Sequence, residues 1–313
     1  EDVRYAYGLS YTSEQIVSEY LYYFPNGKQA KIFDRNLNEV SFGDKFKKDF
    51  ETILNFMKPN KLFLSVSANY SAVKEAELVF LFFKEDLIFY PLPLEISNWL
   101  EYSIERFTKE PELKKIFIDF MKSVDTPIQS IDTKFEKTQM TPEFIPDNIP
   151  DEFKPFFAQA KEVTRSEANI NYGLFSVNLN EESKGIQKLF EVFGPIIDII
   201  LKDKVLIWDE METSLHPRIV KEILRLIMYG KRDSKAQLIF STHDTNLLDL
   251  NTFRRDQIWF TELNKDRETD IYSLAELKNV RKDENISKGY MNGKYGAIPF
   301  IHNHLVFPVE EGC

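Results

Sequence analysis

Residues 205–217 read VLIWDEMETSLHP: four apolar residues run straight into two adjacent carboxylates, Asp209 and Glu210, and then into a Ser-Leu-His-Pro corner. A run so apolar predicts a buried strand. Upstream, after Asn180, the residues Ile186, Leu189, Phe190, Phe193, Ile196, Ile197 and Ile200 follow a 3.6-residue period, which predicts a helix packed on a sheet. Downstream, a helix over 218–229, a strand at 237–240 (QLIF) and another at 257–262 (QIWFTE) continue the pattern. Strands apolar at nearly every position, separated by helices, predict a parallel sheet covered on both faces and hence an α/β fold.

In such a sheet the carboxyl ends of the strands form the rim where ligands bind, and Asp209 and Glu210 stand there. Neighbouring carboxylates repel, so a cation or a shared proton is expected to offset them. A buried strand ending in Asp-Glu suits a nucleotide hydrolase. The Asp holds Mg2+ through its water shell, and the Glu orients the attacking water toward the γ-phosphate. The plain alternative is a strand ending in two solvated acids. The strand at 237–240 ends in Ser241-Thr242-His243-Asp244, which sets an imidazole at the equivalent rim position. Lone histidines are more often satisfied core or surface residues, but here a neutral imidazole can bond a phosphate oxygen or the lytic water. A third element, Glu182-Ser183-Lys184-Gly185, opens the amphipathic helix, where free N–H groups and the dipole favour a phosphate. An ordinary helix cap is the alternative.

The chain divides into three expected segments. Residues 1–68 alternate short aromatic or β-branched runs with turns, including the PNGK turn at 25–28, and predict an antiparallel β-layer. Residues 69–170 predict a helical insertion, from SNWLEYSIERFTKEPELKKIFIDFMKSV, followed by a loop punctuated by Pro142, Pro146, Pro150 and Pro155. Residues 171–313 carry the acids and histidines, starting with NYGLFSVNL, read as a strand.

With 313 residues and 43% hydrophobic content the chain can bury one large or two ordinary cores, and 27 Phe and 14 Tyr supply much of their filling. A formal charge of −10 argues against coating nucleic acid over the whole surface. Lys45, Lys47 and Lys48, or Arg254 with Arg255, are candidate local basic faces, the alternative being solvated surface charge. A single cysteine, Cys313, excludes a disulfide framework within the chain, and no apolar run approaches the roughly 20 residues of a membrane span. A reducing, cytoplasmic setting is expected.

Taken in order, Ser183/Gly185, Asp209/Glu210, Ser214-Leu215-His216 and His243 resemble the signature motif, Walker B motif, D-loop and switch histidine of an ABC-type ATPase head. With the tail FRRDQIWF and VRKDENISKGYMNGKYGAIPF, the chain resembles the ABC/SMC-like ATPases of the AAA superfamily found in bacterial phage-defence and abortive-infection loci, relatives of the OLD-type ATPases. The early stretch from RYAYGLSY to NKLFLSVSA extends the resemblance over nearly the whole chain. It implies a P-loop NTPase sheet with helices on both faces, an antiparallel β-layer and a helical insertion. It also implies ATP and Mg2+, with Asp209 coordinating the metal, Glu210 as catalytic base and His243 as switch residue. Ser183 and Gly185 would touch the γ-phosphate of nucleotide held by a second subunit, and Ser214 with His216 would line the dimer seam. The implied partners are a second copy, in a homodimer or higher homo-oligomer, and a separate nuclease effector. DNA is left open, and no membrane is implied. The signature departs from the Leu-Ser-Gly-Gly-Gln pattern, which weakens the contact across the seam.

No segment matches G-x-x-x-x-G-K-[ST]; GYMNGKYG, residues 289–296, has the wrong spacing and lacks Ser or Thr after Lys294. The resembling family places that loop ahead of the point where this sequence starts. The opening Glu1-Asp2-Val3, without methionine, favours a fragment of a longer ATPase over a non-hydrolysing relative. Two other readings compete: a catalytically inactive scaffold on the same fold, and a metal-dependent phosphoesterase or nuclease with Asp209, Glu210, His216, His243 and Asp244 as direct ligands.

Overall fold

The computed structural model describes residues 3–71, 73–91, 99–139, 162–278, 280–281 and 284–299. The four prolines of the expected loop and Cys313 lie outside them. The chain forms two compact units: one of Glu1–Tyr90, Ile199–Ile207 and Lys235–Ile239, the other of Pro91–Asp198, Trp208–Ser234 and Phe240–Cys313.

The first unit opens with an antiparallel meander of β1 (Tyr5–Tyr11), β2 (Ile16–Tyr23), β3 (Ala30–Asn36) and β4 (Glu39–Phe42). The turn between β2 and β3 places Asn26 at φ 56° and Gly27 at φ 77°, the left-handed pair that the PNGK stretch predicts. Asn tolerates that region better than most residues, so Asn26→Ala is expected to lower stability by about 1 kcal/mol. Urea unfolding measures it, and an unmoved midpoint would show that the turn does not constrain the hairpin. Short helices α1 (Lys47–Glu51), α2 (Phe63–Tyr70) and α3 (Lys74–Leu81) supply the other side of the core. There Leu21, Ile32, Phe33, Phe46, Phe50 and Phe63 are buried together. Phe33 and Phe63 meet edge to face at 5.0 Å, and Phe50 and Phe63 at 5.4 Å, the arrangement ring quadrupoles favour.

Two charges sit fully inside this core. Glu19 accepts the N–H groups of Phe63 (2.6 Å) and Leu64 (2.8 Å), filling orphan donors at the start of α2, and takes a further hydrogen bond from the Tyr7 hydroxyl. Arg35 lies 3.6 Å from Glu19 and donates to the carbonyls of Leu37, Lys58, Pro59 and Lys61. Burial and the neighbouring Glu19 carboxylate push the Tyr7 phenol well above its ordinary value. The unit continues into β5 (Leu87–Tyr90).

The second unit begins with α4 (Trp99–Lys109) and α5 (Pro111–Ser123), matching the amphipathic period read there. Next come β6 (Ser130–Gln139), β7 (Glu162–Asn171) and β8 (Ser176–Asn178), an antiparallel sheet that the sequence reading missed. The stretch read as one strand, NYGLFSVNL, instead turns at Gly173 (φ 93°) before the short β8. Helix α6 (Lys184–Leu201) then presents Leu189, Phe190, Phe193 and Ile196 to the core. Phe107 and Phe117 meet Phe190 at 5.0 and 5.5 Å. Pro195 inside α6 cannot donate to the carbonyl of Glu191, and the Ser103 hydroxyl of α4 does so at 2.8 Å. Gly194 makes room, because a Cβ there would stand 2.8 Å from Ser103 Oγ. Arg106 and Tyr102 of α4 bond Asp198, so the two helices are also joined by charge.

The remaining elements are β9 (Val205–Trp208), α7 (Pro217–Tyr229), β10 (Gln237–Phe240), β11 (Trp259–Leu263), β12 (Thr269–Ser273) and α8 (Ile286–Met291). Strand order is β10-β9-β5, with β9 central. Gln237 N–H bonds the Lys204 carbonyl and Ser241 N–H bonds the Trp208 carbonyl, both at 3.0 Å and at the same sequence offset, so β9 and β10 run parallel. The α/β expectation holds. Two details of it do not. β10 alternates exposed and half-buried residues instead of being covered on both faces, and QIWFTE pairs antiparallel with β12 rather than joining the parallel sheet. Exposure along β11 shows why: Trp259 and Thr261 face out around a buried Phe260, so only one face has a core to serve.

Candidate active site

The strand tips of β9 and β10 bring the predicted acids and imidazole together. β9 stops at Trp208, and Glu210 takes a left-handed conformation, φ 47°, which costs a non-glycine residue about 1–2 kcal/mol. The chain therefore turns between the acids rather than alternating through them. Ser241, the first residue past β10, fastens this turn. Its hydroxyl donates to Asp209 Oδ1 and accepts the Glu210 N–H at 2.8 Å, while its carbonyl accepts Met211 N–H at 3.2 Å. Glu210 Oε1 lies 3.9 Å from His243 Nε2, and its Oε2 accepts from Thr213 Oγ1 at 3.3 Å. Both side chains face solvent, His243 at 88% and Glu210 at 58% exposure.

The following turn holds the other predicted residues. Ser214 is left-handed, φ 66°, and its carbonyl would stand 3.0 Å from a Cβ on Gly185, so only glycine fits there without displacement. Gly185 and Ser214 are thus neighbours. Ser183 Oγ accepts the Ile186 N–H at 3.3 Å, a helix cap, and Ser183 is exposed. His216 caps α7, its Nδ1 accepting Arg218 N–H at 3.2 Å. Asp244 caps the next short turn through Asn246 N–H at 2.9 Å. Sequence reasoning missed two residues of this site, Ser241 and Glu212, the latter accepting the His243 N–H on Oε1 at 2.7 Å. Ser241 had a signal: it is the polar residue at the tip of the strand beside Asp209.

The donors at the tips, Asp209, Glu210 and Ser241, are all oxygen, which suits a hard cation held by one or two carboxylates with phosphate oxygens and water. Among the described residues no three His, Cys, Asp or Glu side chains gather closely enough to hold a metal ion directly. Four of the five candidate basic residues have partners of their own. Lys45 pairs with Glu75 at 2.7 Å, Lys47 with Glu51 at 3.9 Å and Arg254 with Asp256 at 3.0 Å, while Arg255 bonds the carbonyls of Leu274, Leu277 and Val280. A cavity of about 630 Å³ lined by Lys221, Asn246, Asp249, Asn251, Asn285 and Lys288 lies beyond the His243 segment and includes none of the tip residues. No helix among the described residues is long and apolar enough to cross a membrane.

A family model described as "AAA domain, putative AbiEii toxin, Type IV TA system" matches residues 1–249, well over half of the chain and every tip residue. The chain belongs to this family. It is therefore an AAA-type ATPase domain, and the family match spans both the antiparallel layer and the Asp209, Glu210 and His243 tips. No curated protein matches it. Among solved structures the chain is similar to an SMC head crystallised with the C-terminal winged-helix domain of ScpA. That likeness has 13% identity and a TM-score of 0.32, and covers 82% of this chain and 68% of the other.

Proposed function

We propose that this AAA-type domain is part of an ABC/SMC-like ATPase head of the OLD-like kind, which binds and hydrolyses ATP with Mg2+. The observation that carries the reading is the approach of Glu210 and His243 to 3.9 Å from two adjacent parallel strands, with Asp209 held beside them through Ser241. Bound Mg2+ would neutralise phosphate charge, and Asp209 is the carboxylate placed to hold it. Glu210 accepts the proton of the attacking water, and His243 bonds a γ-phosphate oxygen or that water. The G-x-x-x-x-G-K-[ST] phosphate loop has no match in these 313 residues, so turnover is to be assayed on the full-length protein.

The exposure of Glu210 and His243 supports dimerisation around nucleotide, because a hydrolytic site works best when a second surface excludes bulk water. In that dimer Ser183 and Gly185 meet the nucleotide of the other subunit, and Ser214 and His216 line the seam. The family description names a putative AbiEii toxin and a type IV toxin–antitoxin system, which supports a defence role. In that role we place the dimer in the cytoplasm, controlling a separate nuclease. His243→Ala is expected to slow ATP turnover by the full-length protein about 10- to 100-fold, with ATP affinity nearly unchanged. Phosphate release measures it. Undiminished turnover would remove His243 from the site; a wild-type protein that hydrolyses no ATP would favour the inactive scaffold.

A further inference from the structure

We propose that Glu212 is a positioning residue for His243 and joins it to the turn that carries Ser214; this rests on the nucleotide reading above. Glu212 Oε1 accepts the backbone N–H of His243 at 2.7 Å, a charge-assisted bond that holds the switch residue at one point along its chain. The carbonyl of the same Glu212 accepts Leu215 N–H at 2.8 Å, within the turn where Ser214 stands against Gly185. One residue therefore bonds both segments that frame the acid pair.

The other carboxylate oxygen, Oε2, is buried and has no hydrogen-bond partner among the described residues. Buried polar atoms are seldom left so, and a carboxylate oxygen without a donor is destabilising. A glutamine would keep the acceptor and bring a donor, so fold stability alone does not account for the acid. What the charge adds is a stronger hold on the His243 N–H. With that hold, the imidazole stays within 3.9 Å of Glu210 although its side chain is 88% exposed. The fixed point matters because a displacement of about 1 Å at a reacting group can cost up to about 100-fold in rate.

The test uses the full-length protein with ATP and Mg2+. Glu212→Ala is expected to lower kcat about tenfold with KM for ATP within about twofold, and Glu212→Gln, which keeps an acceptor oxygen but not the charge, to restore only part of the loss. Combined with His243→Ala, Glu212→Ala should add no further loss, since it acts through that residue. A merely structural role would give losses that add, and that result overturns the proposal. Amide hydrogen exchange at His243 reads the tether without turnover: Glu212→Ala should speed it about tenfold. Unchanged exchange overturns the tether. If exchange quickens while His243→Ala leaves turnover intact, the tether stands and it is the nucleotide role of His243 that fails.

Discussion

Glu210→Gln in the full-length protein is expected to lower ATP turnover about 10³-fold while ATP affinity stays within about threefold. The amide has nearly the same shape, keeps an oxygen for the Thr213 hydroxyl, and leaves the backbone bond to Ser241 untouched. What it loses is the ability to take a proton from water. Because binding is spared, the variant should accumulate as an ATP-bound dimer, visible by light scattering, whereas the proposed wild-type dimer is expected to turn over and dissociate. Phosphate release gives the rate. Unchanged turnover with no added dimer would sink the assignment of Glu210 and, with it, the ATPase reading of the strand tips.

Glu19→Ala should destabilise the first unit by about 3–5 kcal/mol, enough to unfold a marginal domain. Removing the carboxylate strands Arg35 as an unpaired charge at 0% exposure and frees the Phe63 and Leu64 N–H groups at the head of α2 in the same step. Urea unfolding followed by tyrosine fluorescence measures the effect. Replacing both partners with apolar residues, Glu19→Leu with Arg35→Met, should cost less than Glu19→Ala alone, because no buried charge is then left without its counter-ion. A single variant as stable as the wild type would mean that water reaches the pair.

The legible parts of this protein are those whose pattern is local. The hairpin turn follows from Asn26-Gly27, since positive φ favours those residues wherever they occur. Helices α4 to α7 follow from apolar residues at helical spacing, and β9 from a run too apolar to be exposed. The acid pair and His243 could be placed at strand ends because each stands directly after such a run. Their roles rest on family likeness and on the experiments above.

The sheet of β6, β7 and β8 was illegible for the complementary reason. The sequence SIDTKFEKTQ is charged at alternate positions and has few buried residues, so it becomes a strand only by pairing with β7 across a long stretch of intervening chain. Likewise QIWFTE has an apolar centre that reads as a strand of the main sheet, and only its partner β12 decides that it joins a separate antiparallel pair. Ser241 and Glu212 are small polar notes in the sequence, and their importance comes from the parallel register that sets residue 241 beside residue 209. The sequence by itself determined the buried faces of the helices, where the Asn26-Gly27 turn falls and which polar groups end the apolar runs, because φ preference and helical period act over a few neighbours. Tertiary structure alone decided which strands pair, in what register, and therefore which backbone N–H meets which carboxylate, because those bonds join segments far apart in the chain and no local preference encodes them.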